Sequence, residues 1–493
     1  MDRGEMDEVA REVDALVAAL DEERFRHVAG IEGEPALARP FAVRARAAHR
    51  ETVRTLRESG DAPLADRVAA LRAERAQAEL EERWRSAEAA AAGVGPDGRA
   101  ALAALEAAVP RERDPSRRRA LAAAAAEALA RAASAREEAV EVRARARAEV
   151  GLAPDWRAVV LGDVALAASD DAWRDVLPFT ARRELGGVPP EGLSRADLLH
   201  ALALTRWDGL FRSGMLPVAA KLTLEPLGVD LGRVRIDDAE RPGKWPGAHA
   251  VGARISFRAR GGGADWQDLL AAVGRALAAG AHPPSARAPD FGEALAWILG
   301  ALLLEPRWLA ERADVDRRHA KDVVRDLALR RLLALRADGA ALRVAVEVER
   351  GLSGAAWREA HRAALHAATS ATWEGVRAAR DGDAAALAAR LCGAEAGEEL
   401  RRELVERFDE DWWRNPRTAA HLAGLLAAGR LPRAEAPPPG GLAARHLVSR
   451  LEGGGKDPTR PRRARPPRAA APPRRASRGT RPARRRGSAP PRR

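Results

Sequence analysis

The stretch that decides the fold runs from Arg241 to Leu309. It reads RPGKWPGAHAVGARISFRARGGGADWQDLLAAVGRALAAGAHPP over 241–284 and DFGEALAWILGALLLEPRWL over 290–309. Val251, Ala253, Ile255, Phe257 and Ala259 point one way, and Arg254, Ser256, Arg258 and Arg260 the other. That is the period of a half-buried strand, ended by Gly261, Gly262 and Gly263. An apolar run from Asp265 to Ala279 follows, with Leu269, Leu270, Val273, Ala276 and Leu277 at helical spacing. A second apolar helix starts near Phe291 and carries Glu293 in its first turn.

A strand, a helix, a loop and a second helix with an early Glu form the scaffold of a zinc peptidase site. In such a site two His at i and i+4 share one helical face, a Glu beside the first activates the metal-bound water, and a Glu from a later helix completes the ligands. The stretch resembles the oligoendopeptidase F / thimet oligopeptidase family of zinc metallopeptidases. Arg241, Gly243, Lys244, Pro246, Gly247 and Ala248 match before the strand. Asp265, Leu269, Leu270, Gly274, Ala276 and Leu277 match around the motif, and Glu293, Ala294 and Ala296 match the third-ligand helix. Where the family has HExxH, this chain has Ala271-Ala272-Val273-Gly274-Arg275. Ala cannot ligate zinc, and a guanidinium has no lone pair and stays protonated. The resemblance therefore implies a kept frame with its chemistry deleted, no zinc, and Glu293 left at the former third-ligand position.

A second block agrees. In 408–432, Asp411, Trp413, Asn415, Pro416, Arg417, Leu422 and Gly429 fit a closing pattern of the same family. The family uses a late Tyr or His to stabilise the oxyanion. This chain has no Tyr, leaving His361 and His366, whose offset of five is wrong for two ligands on one helical face.

Composition bounds the rest. The chain has 493 residues and a formal charge of +12. From Leu451 onward there are 15 Lys/Arg against Glu452 and Asp457, a net +13, while residues 1–450 are near neutral at −1. Cys392 is the only cysteine, which excludes an intrachain disulfide and a cysteine-based metal site. The first residues, MDRGEMDEVAREVDAL, lack an apolar h-region, and the longest apolar run, Ala294 to Leu304, is too short to span a bilayer. A cytoplasmic protein without membrane contact is the expectation, and the Ala/Arg-rich usage suggests a GC-rich bacterial genome.

Residues 5 to about 110 read as amphipathic helices broken at Gly30–Pro40, Ser59–Asp61 and Gly93–Gly98. Asp114-Pro115 is an N-cap followed by proline at the first helical position. The helix it opens, ending before Gly151, is roughly 50 Å long. Eleven of the twelve Trp lie from Trp156 onward. Residues 194–210 read as one helix, 217–236 as a helix and a short strand, and 312–337 as a charged helix. Residues 340–348 are ambiguous between helix end and strand. Asn415-Pro416 opens a helix behind the anchor Trp412-Trp413. From Glu435 the Pro, Gly, Ala and Arg content cannot offset chain entropy, although 441–451 has the makings of a last helical turn or two.

The expected architecture is mainly α: a large helical metallopeptidase-like body with a small β-ribbon next to the former zinc site, plus a disordered basic C-terminal tail. The expected divisions are 1–151, an N-terminal helical region; 152–434, a degenerate catalytic domain; and 435–493, the tail. The leading function is an inactive peptidase homologue that keeps a peptide-binding channel, with Arg254, Ser256 and Arg258 on a strand available to an extended peptide. A binder of nucleic acid or another polyanion through residues 456–493 is the alternative. A third reading is an active hydrolase with relocated ligands His249, His282, Glu293 and His319.

Overall fold

Local capping sets the helix ends. The Asp114 carboxylate accepts from the Arg117 backbone N–H at 2.7 Å, and helix Pro115–Glu149 follows. Asn415 caps Pro416–Ala428 in the same way, accepting from the Arg417 N–H at 3.1 Å. In both, proline fills a first-turn position whose N–H would have no helical partner. The computed structural model describes residues 1–453 apart from 32, 187–191, 230, 231, 233, 289, 382 and 432–439. The tail expectation for 454–493 lies outside the described residues.

Helices Arg3–Val28, Arg50–Glu58 and Ala62–Ala90 come first, and Ala62–Ala90 lies along Pro115–Glu149. They enclose a core of Val9, Val13, Leu16, Leu56 and Val68. The break at 93–98 is more than a loop: Ala92–Gly95 and Gly98–Ala101 pair as an antiparallel hairpin. A larger core, centred on Trp266, Leu270, Leu304, Trp308, Leu329 and Trp413, spans the elements from Trp156–Leu185 to Leu442–Leu451. All described residues belong to one unit, so the chain changes cores near residue 152 without dividing into separate bodies.

Three helix expectations change. The helix expected over 194–210 stops at Ala201, because Leu204 takes a left-handed conformation (φ 60°) and a single 3-10 turn follows. Residues 340–348 continue one helix, Arg317–Glu349, whose Val344, Ala345, Val346 and Val348 are all buried. Leu442–Leu451, where the sequence offered a last helical turn or two, is a core helix, with Leu442, Ala443, Ala444, Leu447 and Leu451 buried. The apolar spacing within the helix outweighs the Pro-rich sequence just before it.

The central sheet also corrects the expectation. Strand 251–260 is instead a hairpin: Gly247–Val251 pairs antiparallel with Arg254–Arg258 across Gly252, which has φ 57°. Arg235–Asp237 adds in parallel on the other side, giving the order 235–237, 254–258, 247–251. Arg254, Ser256 and Arg258 thus lie on the central strand, whose backbone is paired on both sides over 254–256 and with 247–251 alone at Phe257 and Arg258. Their face covers the first helix. Arg254 bonds Glu22 at 2.7 Å and lies over the Phe25 ring, while Ser256, 0 % exposed, reaches the Val28 carbonyl at 3.3 Å. Arg258 donates to the Lys244 carbonyl at 2.9 Å. The side-chain alternation is as expected, with Ile255 and Phe257 in the core, while the backbone expected to receive a peptide is already paired on both sides over 254–256.

Candidate functional site

The family-like residues before the strand are structural ties. Arg241 grips Asp237 at 2.7 Å and the Ala29 carbonyl at 3.0 Å. Lys244, fully buried, donates to the carbonyls of Asp237 and Ala239 at 2.8 and 2.9 Å. Burial pushes its ammonium down, partly offset by Asp237. Asp265 accepts from the backbone N–H groups of Arg260 and Gly261, both at 2.6 Å, which turns the strand into the next helix.

That helix, Gly263–Ala281, crosses Phe291–Ala301 at Gly274, where a Cβ would stand 2.5 Å from the Ala296 nitrogen. Helix Ala384–Phe408 closes on the other side at Gly393, where a Cβ would lie 2.3 Å from the Glu293 Cβ. Both approaches need a residue without a side chain. They put Glu293 where it meets Arg275. Arg275 Nε and Nη2 reach the two Glu293 carboxylate oxygens, each at 2.8 Å, in a bidentate pair. The pair is half-buried: the side chains are 35 % and 20 % exposed.

These residues do not fit zinc. Two positions are Ala, Ala272 is fully buried, and the one carboxylate is held by a fixed cation. Relocated ligands are not brought together either. His249 bonds the Pro246 carbonyl, His282 the Ala427 carbonyl, and His319 lies against Trp207. Among the described residues no three His, Cys, Asp or Glu side chains form a metal-binding group. His361 is buried, His366 bonds the Ala371 carbonyl, and neither lines the cavity described next.

Ala271, Arg275 and Glu293 line a cavity of about 390 Å³. Its walls hold a charged lattice absent from the sequence reading. Arg390 grips Asp338 at 2.8 and 2.9 Å, and Arg330 holds Asp268 at 2.9 Å and the Gln267 Oε1 at 2.8 Å. Arg260 also bonds Asp268. Burial disfavours the Asp268 charge, but Arg330 and Arg260 outweigh it and hold its carboxyl below the usual range. One signal was present: Arg330-Arg331 interrupts the buried run between Leu327–Leu329 and Leu332–Leu333, where a solvated helix face has no place.

No protein-family profile matches the chain, and no curated protein sequence does. Solved structures do match. PZ peptidase A, solved with an inhibitor, is 12 % identical with a TM-score of 0.53, over 92 % of this chain and 87 % of that one. A protein called BsuCP is 11 % identical with a TM-score of 0.51, over 91 % and 97 %. A protein provisionally named oligoendopeptidase F is 14 % identical with a TM-score of 0.51, over 87 % and 82 %. The likeness is one of fold: the chain has the large helical fold of the oligoendopeptidase-type metallopeptidases.

Proposed function

We propose that this chain is a catalytically inactive relative of those peptidases, a binding protein that uses the cavity of the fold without cutting. The bidentate Arg275–Glu293 pair carries the reading. A guanidinium on the carboxylate replaces the metal's charge and removes the remaining candidate ligand. A zinc hydrolase needs three protein ligands, an open position for water and a base. Glu293 alone remains of those groups, and Ala272 stands where the base would be. The test is metal analysis of the dialysed protein together with cleavage assays on a mixed peptide library. The expected result is no stoichiometric zinc and no cleavage. One equivalent of zinc, with cleavage abolished by a chelator and by Glu293→Ala, would overturn the reading.

A second reading stands beside it, favoured by the +13 carried from Leu451 onward against a near-neutral remainder. The basic segment binds polyanions through phosphate attraction, without base readout. Neither reading places the protein in a bilayer, and among the described residues no helix is long and apolar enough to cross one.

A further inference from the structure

Six arginines line the cavity: Arg111, Arg260, Arg275, Arg330, Arg331 and Arg390. Five have carboxylate partners, in the pairs Arg111–Asp208, Arg260–Asp265, Arg275–Glu293, Arg330–Asp268 and Arg390–Asp338. Arg331 makes no salt bridge among the described residues, although the Glu398 carboxylate acts on it at longer range. It lies flat over the Trp297 ring, 4.0 Å from its centroid, and donates one bond, Nη2 to the Trp297 carbonyl at 3.1 Å. A guanidinium has five N–H donors, so most of its capacity is unused. Burial pushes it down, to about 9; the Glu398 and Asp268 carboxylates oppose this, and the charges of Arg330 and Arg275 add to it. It therefore remains a cation at neutral pH, in a place that disfavours one.

Arg331 lies against Gly300, on the side of that helix turned to Ala271. A Cβ on Gly300 would come within 2.9 Å of its Nη1 and within 3.6 Å of both the Ala271 Cβ and the Gln267 carbonyl oxygen. The missing side chain at 300 is what leaves room for the guanidinium. Gln267 supplies a second, independent observation. It is 3 % exposed and lines the cavity; its Oε1 is taken by Arg330, and its Nε2 has no hydrogen-bond partner among the described residues. A buried donor without an acceptor is costly. An arginine without a salt bridge thus faces a cavity whose other walls include Leu199, Leu202, Leu333 and Trp373, with the Gln267 amide buried in the same wall.

We propose that this cavity binds a small organic carboxylate, its charged head on Arg331 and its apolar body against the leucines and Trp373. A monoanion matches the one cavity arginine without a salt bridge, and its two oxygens suit the planar fork of that guanidinium. The volume is that of a small-molecule site rather than of a bare ion. The inference rests on the metal-free reading, because zinc at Glu293 would bring a cation of its own.

Calorimetry on the full chain at pH 7 tests it with phenylacetate, its neutral isostere phenylacetamide, and inorganic phosphate. Phenylacetate is expected to bind at one equivalent and at least tenfold tighter than the amide or phosphate. Arg331→Met, which keeps the stem on Trp297, and Gln267→Glu, which keeps an acceptor for Arg330 but adds a negative charge, are each expected to weaken it at least tenfold. Melting temperatures of both variants establish that they fold, and Gln267→Glu serves alone if Arg331→Met does not. Equal binding of acid and amide, tighter binding of phosphate, or unchanged affinity in a folded variant would overturn the assignment. Zinc analysis of the same sample separates the two failures: zinc present overturns the metal-free reading, whereas zinc absent with no preference for the acid overturns the carboxylate site alone.

Discussion

At the scale of single residues, Arg275 and Glu293 show how exposure sets magnitude. Breaking a fully buried ion pair costs about 3–5 kcal/mol, because the orphaned charge has no solvent. Here the two side chains are 35 % and 20 % exposed, so water can solvate whichever partner is left. An exposed pair typically contributes between about 0 and 1 kcal/mol. Arg275→Leu is therefore expected to lower the unfolding free energy by about 1 kcal/mol. The cycle completed by Glu293→Leu and the double variant should give a coupling energy of about 1 kcal/mol or less. Urea denaturation of the four proteins measures this; a loss of 3 kcal/mol for the single change would mean that the pair behaves as buried. That the two residues meet was legible in the sequence, since each stands at a position that ligates one metal in the family pattern. Their exposure was not, because it depends on a cavity walled by Arg330, Arg331 and Asp338, more than 30 residues along the chain.

At the scale of elements, the helix Leu442–Leu451 is held by side chains from far upstream. Glu395 accepts the N–H groups of Leu442 and Ala443 at 2.9 and 3.2 Å, filling the helix N-terminus. His446 lies inside, 3.3 Å from Glu398, whose carboxylate is already shared with Arg401. Burial, with Arg401, Arg450 and Arg331 nearby, pushes the His446 imidazole well below its usual value. A base whose folded value is depressed contributes stability that is present above its unfolded value, about 6.5. That stability is lost as pH falls below it. Wild-type melting temperature should therefore fall from pH 7 to pH 5 more steeply than that of His446→Leu; parallel profiles would remove His446 from the account. Glu398 works in the opposite sense, because burial raises its carboxyl and its contribution fades as pH rises. Elements were legible wherever their cause was local, as with the caps Asp114 and Asn415 and the anchors Trp412 and Trp413. The strand order was not, because pairing of 235–237 with 254–258 and the cover from the first helix are non-local. This is why Arg254, Ser256 and Arg258 read as an open peptide-binding face.

At the scale of the whole molecule, charge is divided along the chain rather than over its surface. Residues 454–493 hold 15 Lys/Arg against the single acid Asp457, a net +14, and residues 1–453 sum to −2. Within the folded part most arginines are spent on carboxylates, as the cavity lattice illustrates, so little positive field is left there to draw a polyanion. Nucleic-acid affinity should therefore reside in the last 40 residues. It should be independent of base sequence, since the segment has no aromatic side chain to stack on bases. Each phosphate neutralised releases condensed counterions, so a protein making about 6–10 such contacts loses roughly 10³–10⁵ in affinity between 50 and 200 mM salt. The comparison is between the full chain and a chain ended at Gly453, which keeps the core helix Leu442–Leu451. Duplex binding is measured by fluorescence anisotropy at both salt concentrations. The full chain is expected to bind at low salt with a steep loss on salt addition, and the shortened chain to bind at least a hundredfold more weakly at low salt. Equal binding by both would place the polyanion site on the folded part and overturn the assignment to the basic segment. If phenylacetate affinity is the same in the two chains, the cavity and the basic segment act as separate anion sites, one selecting by shape and the other by charge alone.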